Sequence, residues 1–150
     1  MKRTSAPLSN SPTDICCLGT ERTNRASADL DTKSSLEIVR IINREDRRVA
    51  KAIEKQLPAI ARAIDAIAEA FRRGGRLIYV GSGTSGRLGA LDAAECPPTF
   101  NADPRFVQYV LAGGDQALGR AVEAYEDSPA VGRRDIAAKR PSGKDVVVGA

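Results

Sequence analysis

After residue 75 the sequence alternates short apolar runs with segments of helical periodicity, and this alternation limits the possible folds more than any other feature. Three runs are predicted as strands: RLIYV at 76–80, RFVQYVLA at 105–112 and DVVVG at 145–149. The helices predicted between them cover residues 85–94, 115–125 and 131–140. Strands joined through helices pair in parallel, because a parallel connection needs a long crossover. The pattern therefore predicts a layered α/β fold built on a parallel sheet.

Composition shifts along the chain predict three regions. Residues 1–19 are rich in Ser, Thr, Pro and Asn, so we expect a disordered leader. Residues 20–75 begin with a polar segment and continue as helices, and residues 76–150 carry the alternating pattern. The sequence ends on its third predicted strand, whereas doubly wound sheets usually continue. We therefore expect the sheet to be incomplete.

The helices before residue 75 carry recognisable start and stop signals. Ser34 and Glu37 have the spacing of a capping box, which predicts the start of an amphipathic helix. Asn43 is expected to break this helix, after which the helical period resumes. Pro58 suits the first turn of the next helix, and Gly74 is expected to end it.

Three glycines follow the first predicted strand with the spacing G-x-G-x-x-G: Gly81, Gly83 and Gly86. This pattern alone is a weak signal for a dinucleotide site, which also needs an acidic residue about 20 positions on, at the end of the second strand. Asp103 precedes that strand, and Asp115 follows it too late. No lysine follows the glycines, which excludes a nucleoside-triphosphate loop.

Hydroxyl groups fill the same loop. Ser82, Thr84 and Ser85 stand among the glycines at the predicted start of a helix. Hydroxyls and free helix amides donate hydrogen bonds to the oxygens of a phosphate monoester without a metal. The loop alone leaves two interpretations open, a phosphate cradle and an ordinary turn capped by Ser or Thr.

Several function classes are excluded by composition. The chain has no histidine, so it offers no imidazole base, and acid–base work falls to other side chains. Its cysteines, Cys16, Cys17 and Cys96, form neither a disulfide framework nor a zinc pattern. The net charge of +4 is mild and aromatic residues make up 4%, which argues against nucleic-acid binding. No apolar run approaches the ~18 residues of a membrane span, so we expect a cytoplasmic protein.

Two glutamates lie where predicted helices end. Glu95 precedes Pro97 and Pro98, which are expected to stop their helix, and Glu126 follows the helix predicted over 115–125. The negative end of a helix dipole favours the protonated form of a carboxylic acid, which suits a general acid or base. Most glutamates are solvated surface groups, however, and nearby acids look alike by composition: Asp92, Glu123 and Asp127. The residues alone do not choose among them.

Five segments in chain order resemble the N-acetylmuramic acid 6-phosphate etherase family. They read GTERTNRASADLD, EIVRIINREDRRVAKAIEKQLPAIARAIDAI, GGRLIYVGSGTSGRLGALDAAECPPTF, LAGGDQALGRAVEAYEDS and DVVVG. The resemblance implies a three-layer, Rossmann-like parallel sheet of the sugar-isomerase (SIS) type, preceded by helices that pack on a partner subunit of a homodimer.

The resemblance also implies an activity. Family members are lyases that cleave the lactyl ether of N-acetylmuramic acid 6-phosphate in the cytoplasmic recycling of cell-wall sugars, without metal or organic cofactor. Glu95 and Glu126 correspond to the family's acid–base pair, and we assign Glu126 as the base and Glu95 as the acid. Thr84 and Ser85 correspond to the hydroxyls with which the family's GTSG loop holds the sugar phosphate, and we assign phosphate binding to the loop of Ser82, Gly83, Thr84, Ser85 and Gly86.

This chain departs from the family pattern in two positions and in length. Ser82 stands where the family usually has alanine, and Tyr125 stands where it has alanine, next to the proposed base. The family's second Ser-Gly phosphate loop, expected after DVVVG, is not in the sequence. A sugar-phosphate-binding module without turnover is therefore the alternative function.

Overall fold

The computed structural model describes residues 22–122 and 128–150. The chain divides into two compact units between Lys55 and Gln56. The predicted leader at 1–19 lies outside the described residues. So do Cys16 and Cys17, and a second group of predicted residues: Glu123, Tyr125, Glu126 and Asp127.

The first unit contains a single α-helix among its described residues. Two short 3-10 turns, Arg25–Ser27 and Leu30–Thr32, lead into α1, which covers Ser35–Glu54. The predicted capping box is confirmed, because Ser34 N–H donates to Glu37 Oε2 at 2.9 Å and Glu37 N–H donates back to Ser34 Oγ at 3.4 Å. The helix start is therefore fixed by the sequence signal.

The predicted break of α1 at Asn43 is wrong. The helix continues through this residue for another three turns. Asparagine costs a helix only a fraction of a kcal/mol, roughly 0.7 or less relative to alanine, so an amphipathic pattern on both sides outweighs it.

The second unit contains the predicted alternation of helices and strands. Its elements are α2 (Leu57–Arg72), β1 (Leu77–Gly81), α3 (Gly83–Phe100), β2 (Val107–Leu111), α4 (Gln116–Gly119), α5 (Pro129–Ala138) and β3 (Val146–Gly149). Pro58 lies in the first turn of α2 and Gly74 follows its end with a φ of 72°, as predicted. The helix predicted over 115–125 is wrong at residues 120–122, because Arg120 is extended with φ −151° and ψ 155°.

The three strands of the described residues form a parallel sheet in the order β2-β1-β3. Leu77 of the central strand pairs with Val107 on one side and Val146 on the other. The chain thus adds β2 on one side of β1 and then crosses to place β3 on the other. Ligands of such sheets bind where the order reverses, at the carboxyl ends of the strands. Here that position is the end of β1.

Helices lie on both faces of the sheet. Leu77, Ala93 and Val107 form a buried cluster on one face, and Phe71 of α2 packs against it. Successive strand residues point to opposite faces, so Val80 and Val110 face the other way, and they share a cavity with Val131 of α5. The predicted three-layer arrangement is confirmed.

Among residues 22–122 and 128–150, no helix has the length and apolar character that a membrane span requires.

Candidate functional site

The loop between β1 and α3 has helix amides with no hydrogen-bond partner among the described residues. Ser82 occupies the N-cap position with φ −124° and ψ 169°, and the next residue, Gly83, takes a left-handed φ of 53°. Gly86 N–H makes the first helical bond, to the Ser82 carbonyl at 2.9 Å. The amides of residues 83–85 precede that bond, so they have no acceptor within the helix. They point outward at the positive end of the helix dipole, where an anion is favoured.

Ser82 does not act as a side-chain cap. Its hydroxyl accepts no hydrogen bond from the first turn of α3 within the described chain. Ser85 lies three residues into the helix, and Thr84 and Ser85 are both exposed. The capped-turn interpretation therefore gains no support from the structure, and the hydroxyls are available to a ligand.

The third glycine of the loop allows close packing of helix on strand. A Cβ at Gly86 would lie 2.6 Å from Leu111 Cδ1 and 2.7 Å from the Gly81 carbonyl carbon. Both distances are far shorter than real Cβ contacts, so a side chain here would push α3 away from the sheet. Gly86 thus keeps the amino end of α3 over the end of β1.

The loop hydroxyls serve two different cavities. Ser82 lines a cavity of about 240 Å³ between the ends of β1 and β2 and helix α5, where Ser128 and Asp135 also lie. Ser85 lines a second one, of about 280 Å³, on the α3 side. Its other walls come from β1, α3 and β3: Tyr79, Leu88, Gly89, Asp92 and Ala150. We call this second cavity the α3 groove.

A tyrosine–aspartate hydrogen bond lies in the α3 groove. Tyr79 Oη donates to Asp92 Oδ2 at 2.8 Å. Burial, and then the hydrogen bond to Asp92, raise the pKa of Tyr79 to about 12. The phenol is therefore a permanent donor at neutral pH. Burial also raises the pKa of the neighbouring Cys96 thiol, so this cysteine stays protonated and behaves as an apolar residue.

A third cavity, of about 690 Å³, opens at the carboxyl end of β2. It contains a second pair of the same kind, in which Tyr109 Oη donates to Asp115 Oδ1 at 2.9 Å. Arg120, Arg134 and Lys139 give this cavity a basic wall.

The expected position of Glu95 at a helix end is wrong. Helix α3 continues through Pro97 and Pro98 to Phe100, and Asn101 ends it in the left-handed conformation, φ 52° and ψ 35°. A proline inside a helix loses its own N–H donor and crowds the carbonyl four residues earlier, but its fixed φ is compatible with the helix, and α3 continues past both prolines. Glu95 is consequently an exposed residue inside α3.

The structure separates Glu95 along α3 from the predicted phosphate loop of its own chain. Glu95 follows Ser85 by ten residues on one helix, which is about 15 Å along the axis at 1.5 Å per residue. Glu95 is therefore not part of the loop itself. Glu126, the other predicted catalytic residue, lies outside the described residues.

Carboxylates and cysteines do not converge on a metal position in the part of the chain that the structure describes. The groups around the loop are hydroxyls, amides and one Tyr–Asp pair, which suit hydrogen bonding to a phosphorylated polyol.

Comparison with known proteins identifies the fold family of residues 59–150. A family model described as the glucokinase regulatory protein N-terminal SIS domain matches residues 59–150. The chain belongs to this SIS-domain family. The match begins in α2 and includes every strand described above, so the SIS fold expected from the sequence is confirmed.

Three similar relatives carry the name N-acetylmuramic acid 6-phosphate etherase. The protein of Glaesserella parasuis serovar 5 is 54% identical over 130 residues, which cover 87% of this chain and 43% of that protein. The relative from Rhodopirellula baltica is 54% identical over 132 residues, 88% of this chain and 44% of its own length. The relative from Clostridium beijerinckii is 51% identical over 132 residues, which cover 88% of this chain and 43% of that protein. The resemblance to this family is confirmed, and the chain spans less than half the length of the curated relatives it matches.

Two contacts of the SIS domain are not evident from local sequence patterns. Arg87, next to the third glycine, donates from Nε to the Ala117 carbonyl at 2.7 Å and from Nη2 to the Arg120 carbonyl at 3.0 Å, which ties α3 to the end of α4. Asp92 stood among several similar acids, and its bond to Tyr79 was not foreseen. Its spacing of seven residues from Ser85, two helical turns, was the one available signal that both share a helix face.

Proposed function

We propose that the protein is an etherase-type lyase that releases D-lactate from N-acetylmuramic acid 6-phosphate and leaves N-acetylglucosamine 6-phosphate. The observation that carries this proposal is the identity of 51–55% with proteins that bear this name. The free amides and hydroxyls at the start of α3 suit a sugar phosphate. We place the reaction in the cytoplasm, in the recycling of cell-wall amino sugars, and assign it no metal or cofactor.

The proposed reaction is an elimination followed by a hydration. A carboxylate base removes the proton from C2 of the ring-opened sugar, and the electron pair forms a C2–C3 double bond as the C3–oxygen bond breaks. A carboxylic acid donates the proton that the departing lactate oxygen needs. Water then adds across the double bond and restores the sugar. We assign Glu126 as the base, Glu95 as the acid, and residues 82–86 as the phosphate-binding group.

A homodimer is part of the proposal. Glu95 is exposed on the outer surface of α3, and we propose that this surface faces a second copy. Leu88 and Leu91 support this arrangement, since they are 61% and 57% exposed on the same stripe of α3 as Glu95. Burial of this stripe by a partner subunit would place an exposed acid at the subunit boundary.

A sugar-phosphate-binding module without turnover is the second candidate. Two observations favour it: the separation of Glu95 from the loop, and the match to a domain named for a regulatory protein. A binding module needs the loop and has no use for a pair of catalytic acids.

Release of D-lactate from N-acetylmuramic acid 6-phosphate, measured with purified protein, tests the proposal. We expect Glu95→Gln to abolish lactate release while C2 still exchanges its proton with deuterium from the solvent. Glu126→Gln should stop both reactions. Each variant should lower the rate by about 10²–10⁴-fold, the usual contribution of a general acid or base.

Glu69→Gln is the matched control, because Glu69 is an exposed helix glutamate on α2 with no assigned role. It should keep the full rate. If the protein releases no lactate but binds N-acetylglucosamine 6-phosphate, the binding module replaces the lyase. Full turnover by Glu95→Gln and Glu126→Gln would refute the assigned mechanism.

A further inference from the structure

The α3 groove begins at the phosphate loop and runs along one face of the helix. Gly89 forms its floor, and a Cβ there would lie 2.8 Å from Tyr79 Cβ. The missing side chain lets the tyrosine ring lie directly against α3. The groove therefore has a hydroxyl at one end, from Ser85, and the Tyr79–Asp92 pair at the other.

The spacing of these two ends matches an extended sugar phosphate. Asp92 follows Ser85 by seven residues, which is two helical turns and about 10.5 Å along the axis, on nearly the same face. A hexose 6-phosphate carries its phosphate at one end and its ring hydroxyls at the other. With the phosphate at the Ser85 end, the ring would extend toward Asp92.

Tyr79 holds the Asp92 carboxylate in place. The phenol occupies Oδ2, and Oδ1 accepts no hydrogen bond within the described residues. An ionised carboxylate can only accept hydrogen bonds, so its open oxygen suits a sugar hydroxyl or an amide N–H. Because one oxygen is already fixed by a half-buried donor, the second is oriented before a ligand arrives.

We propose that Asp92 is a specificity-determining residue that accepts a hydrogen bond from a ring hydroxyl or amide N–H of the bound sugar phosphate, and that Tyr79 positions it. This inference rests on the proposed function, which assigns the sugar phosphate to the loop of residues 82–86. The phosphate end gives affinity for any phosphate monoester, and Asp92 distinguishes a sugar from a bare phosphate.

Calorimetric titration with two probes, N-acetylglucosamine 6-phosphate and inorganic phosphate, separates the two ends. We expect Asp92→Ala to lower the affinity for N-acetylglucosamine 6-phosphate by about tenfold or more, the scale of one hydrogen bond to a charged group. Its affinity for inorganic phosphate should not change. Tyr79→Phe should also weaken binding of the sugar phosphate relative to inorganic phosphate, but by a smaller factor, because the Asp92 carboxylate is still present and only loses its orientation.

Asp115→Ala is the matched control. It breaks the equivalent Tyr109–Asp115 bond in a different cavity and should leave both affinities at the parent value. Asp92 is exposed, so its replacement is compatible with folding, which circular dichroism checks. Ser85→Ala should lower the affinity for both probes.

Equal sugar-phosphate affinity in Asp92→Ala and the parent would overturn this inference. If Ser85→Ala still lowered the affinity for both probes, the proposed phosphate loop would be supported even though the role of Asp92 was refuted. If the parent protein bound neither probe, the proposed function and this inference would fall together.

Discussion

Asp145 clamps the start of β3 to the start of β1 by binding Arg76 with both of its carboxylate oxygens. Arg76 Nη2 lies 2.8 Å from Oδ2 and Nε lies 3.1 Å from Oδ1, and the backbone amides of Arg76 and Ser142 also donate to this carboxylate. The Asp145 side chain is 3% exposed and that of Arg76 25%. The pair joins β1 and β3 at their amino ends, and the candidate site lies at the opposite, carboxyl ends of the strands. It therefore stabilises the sheet without contacting the site.

Replacing Asp145 by asparagine should lower the free energy of unfolding by about 3 kcal/mol. The change leaves a partly buried guanidinium without its counter-charge, and breaking a buried pair typically costs about 3–5 kcal/mol. We choose the low end because Arg76 is partly exposed. Urea unfolding measures the change. Glu69→Gln, which breaks an exposed pair with Arg72, is the control and should cost less than about 1 kcal/mol.

The same pair predicts how stability depends on pH. The hydrogen bond from the Arg76 guanidinium, aided by backbone donors, holds the pKa of the Asp145 carboxyl well below its usual range. A carboxyl whose pKa is lower in the folded state stabilises the fold above its unfolded pKa, about 3.9, and loses this contribution as the pH falls below it. The stability difference between parent and Asp145→Asn should therefore be constant from pH 7 to 5 and shrink below about pH 4. A difference unchanged at pH 3 would contradict this explanation.

Gly86→Ala should destabilise the protein by about 2 kcal/mol, within the range of overpacked sites. The new methyl group would collide with the Gly81 backbone as well as with Leu111, so the helix itself must shift. Gly132→Ala in α5 is the control, because its Cβ would meet no atom within 4 Å. That change should stabilise the fold by about 0.5–1 kcal/mol, since alanine favours helix over glycine. Thermal unfolding of both variants decides the matter.

Ser85→Ala should weaken sugar-phosphate binding by about 1.5–3 kcal/mol, the value of a hydrogen bond to a charged group. Because Ser85 is exposed and does not occupy the N-cap position, the free energy of unfolding should change by less than about 0.5 kcal/mol. Ser82→Ala provides the comparison, since Ser82 lines the other cavity and should have the smaller effect. Isothermal titration gives both affinities, and unchanged binding by Ser85→Ala would make that hydroxyl a bystander.

Local patterns predicted the strands and most helices because their signals lie within the elements themselves. The Val- and Ile-rich runs became β1, β2 and β3, and the capping box at Ser34 fixed the start of α1. The end of α3 was mispredicted because the prolines gave a strong local signal, whereas the true stop, Asn101, is a residue of ordinary appearance in an unusual conformation.

The site was only partly predictable for a different reason. The glycine and hydroxyl pattern identified the loop, because strand, turn and helix start follow one another in sequence. The Tyr79–Asp92 bond depends on how α3 lies across β1, and the Arg76–Asp145 clamp joins residues 69 apart. Such pairs follow from the packing of whole elements, which no short window of sequence contains.

The strand order β2-β1-β3 has a consequence for folding during synthesis on the ribosome. The central strand emerges first, and neither edge of it can fold back into a hairpin, because both neighbours are parallel. One edge of β1 pairs when β2 has been synthesised. The other edge pairs only with β3, which follows β1 by some seventy residues. At a synthesis rate of about 5–20 residues per second, that second edge stays unpaired for several seconds. An open, apolar strand edge is a template for aggregation, so this topology exposes its nascent chain to misassembly long before the clamp at Asp145 can form.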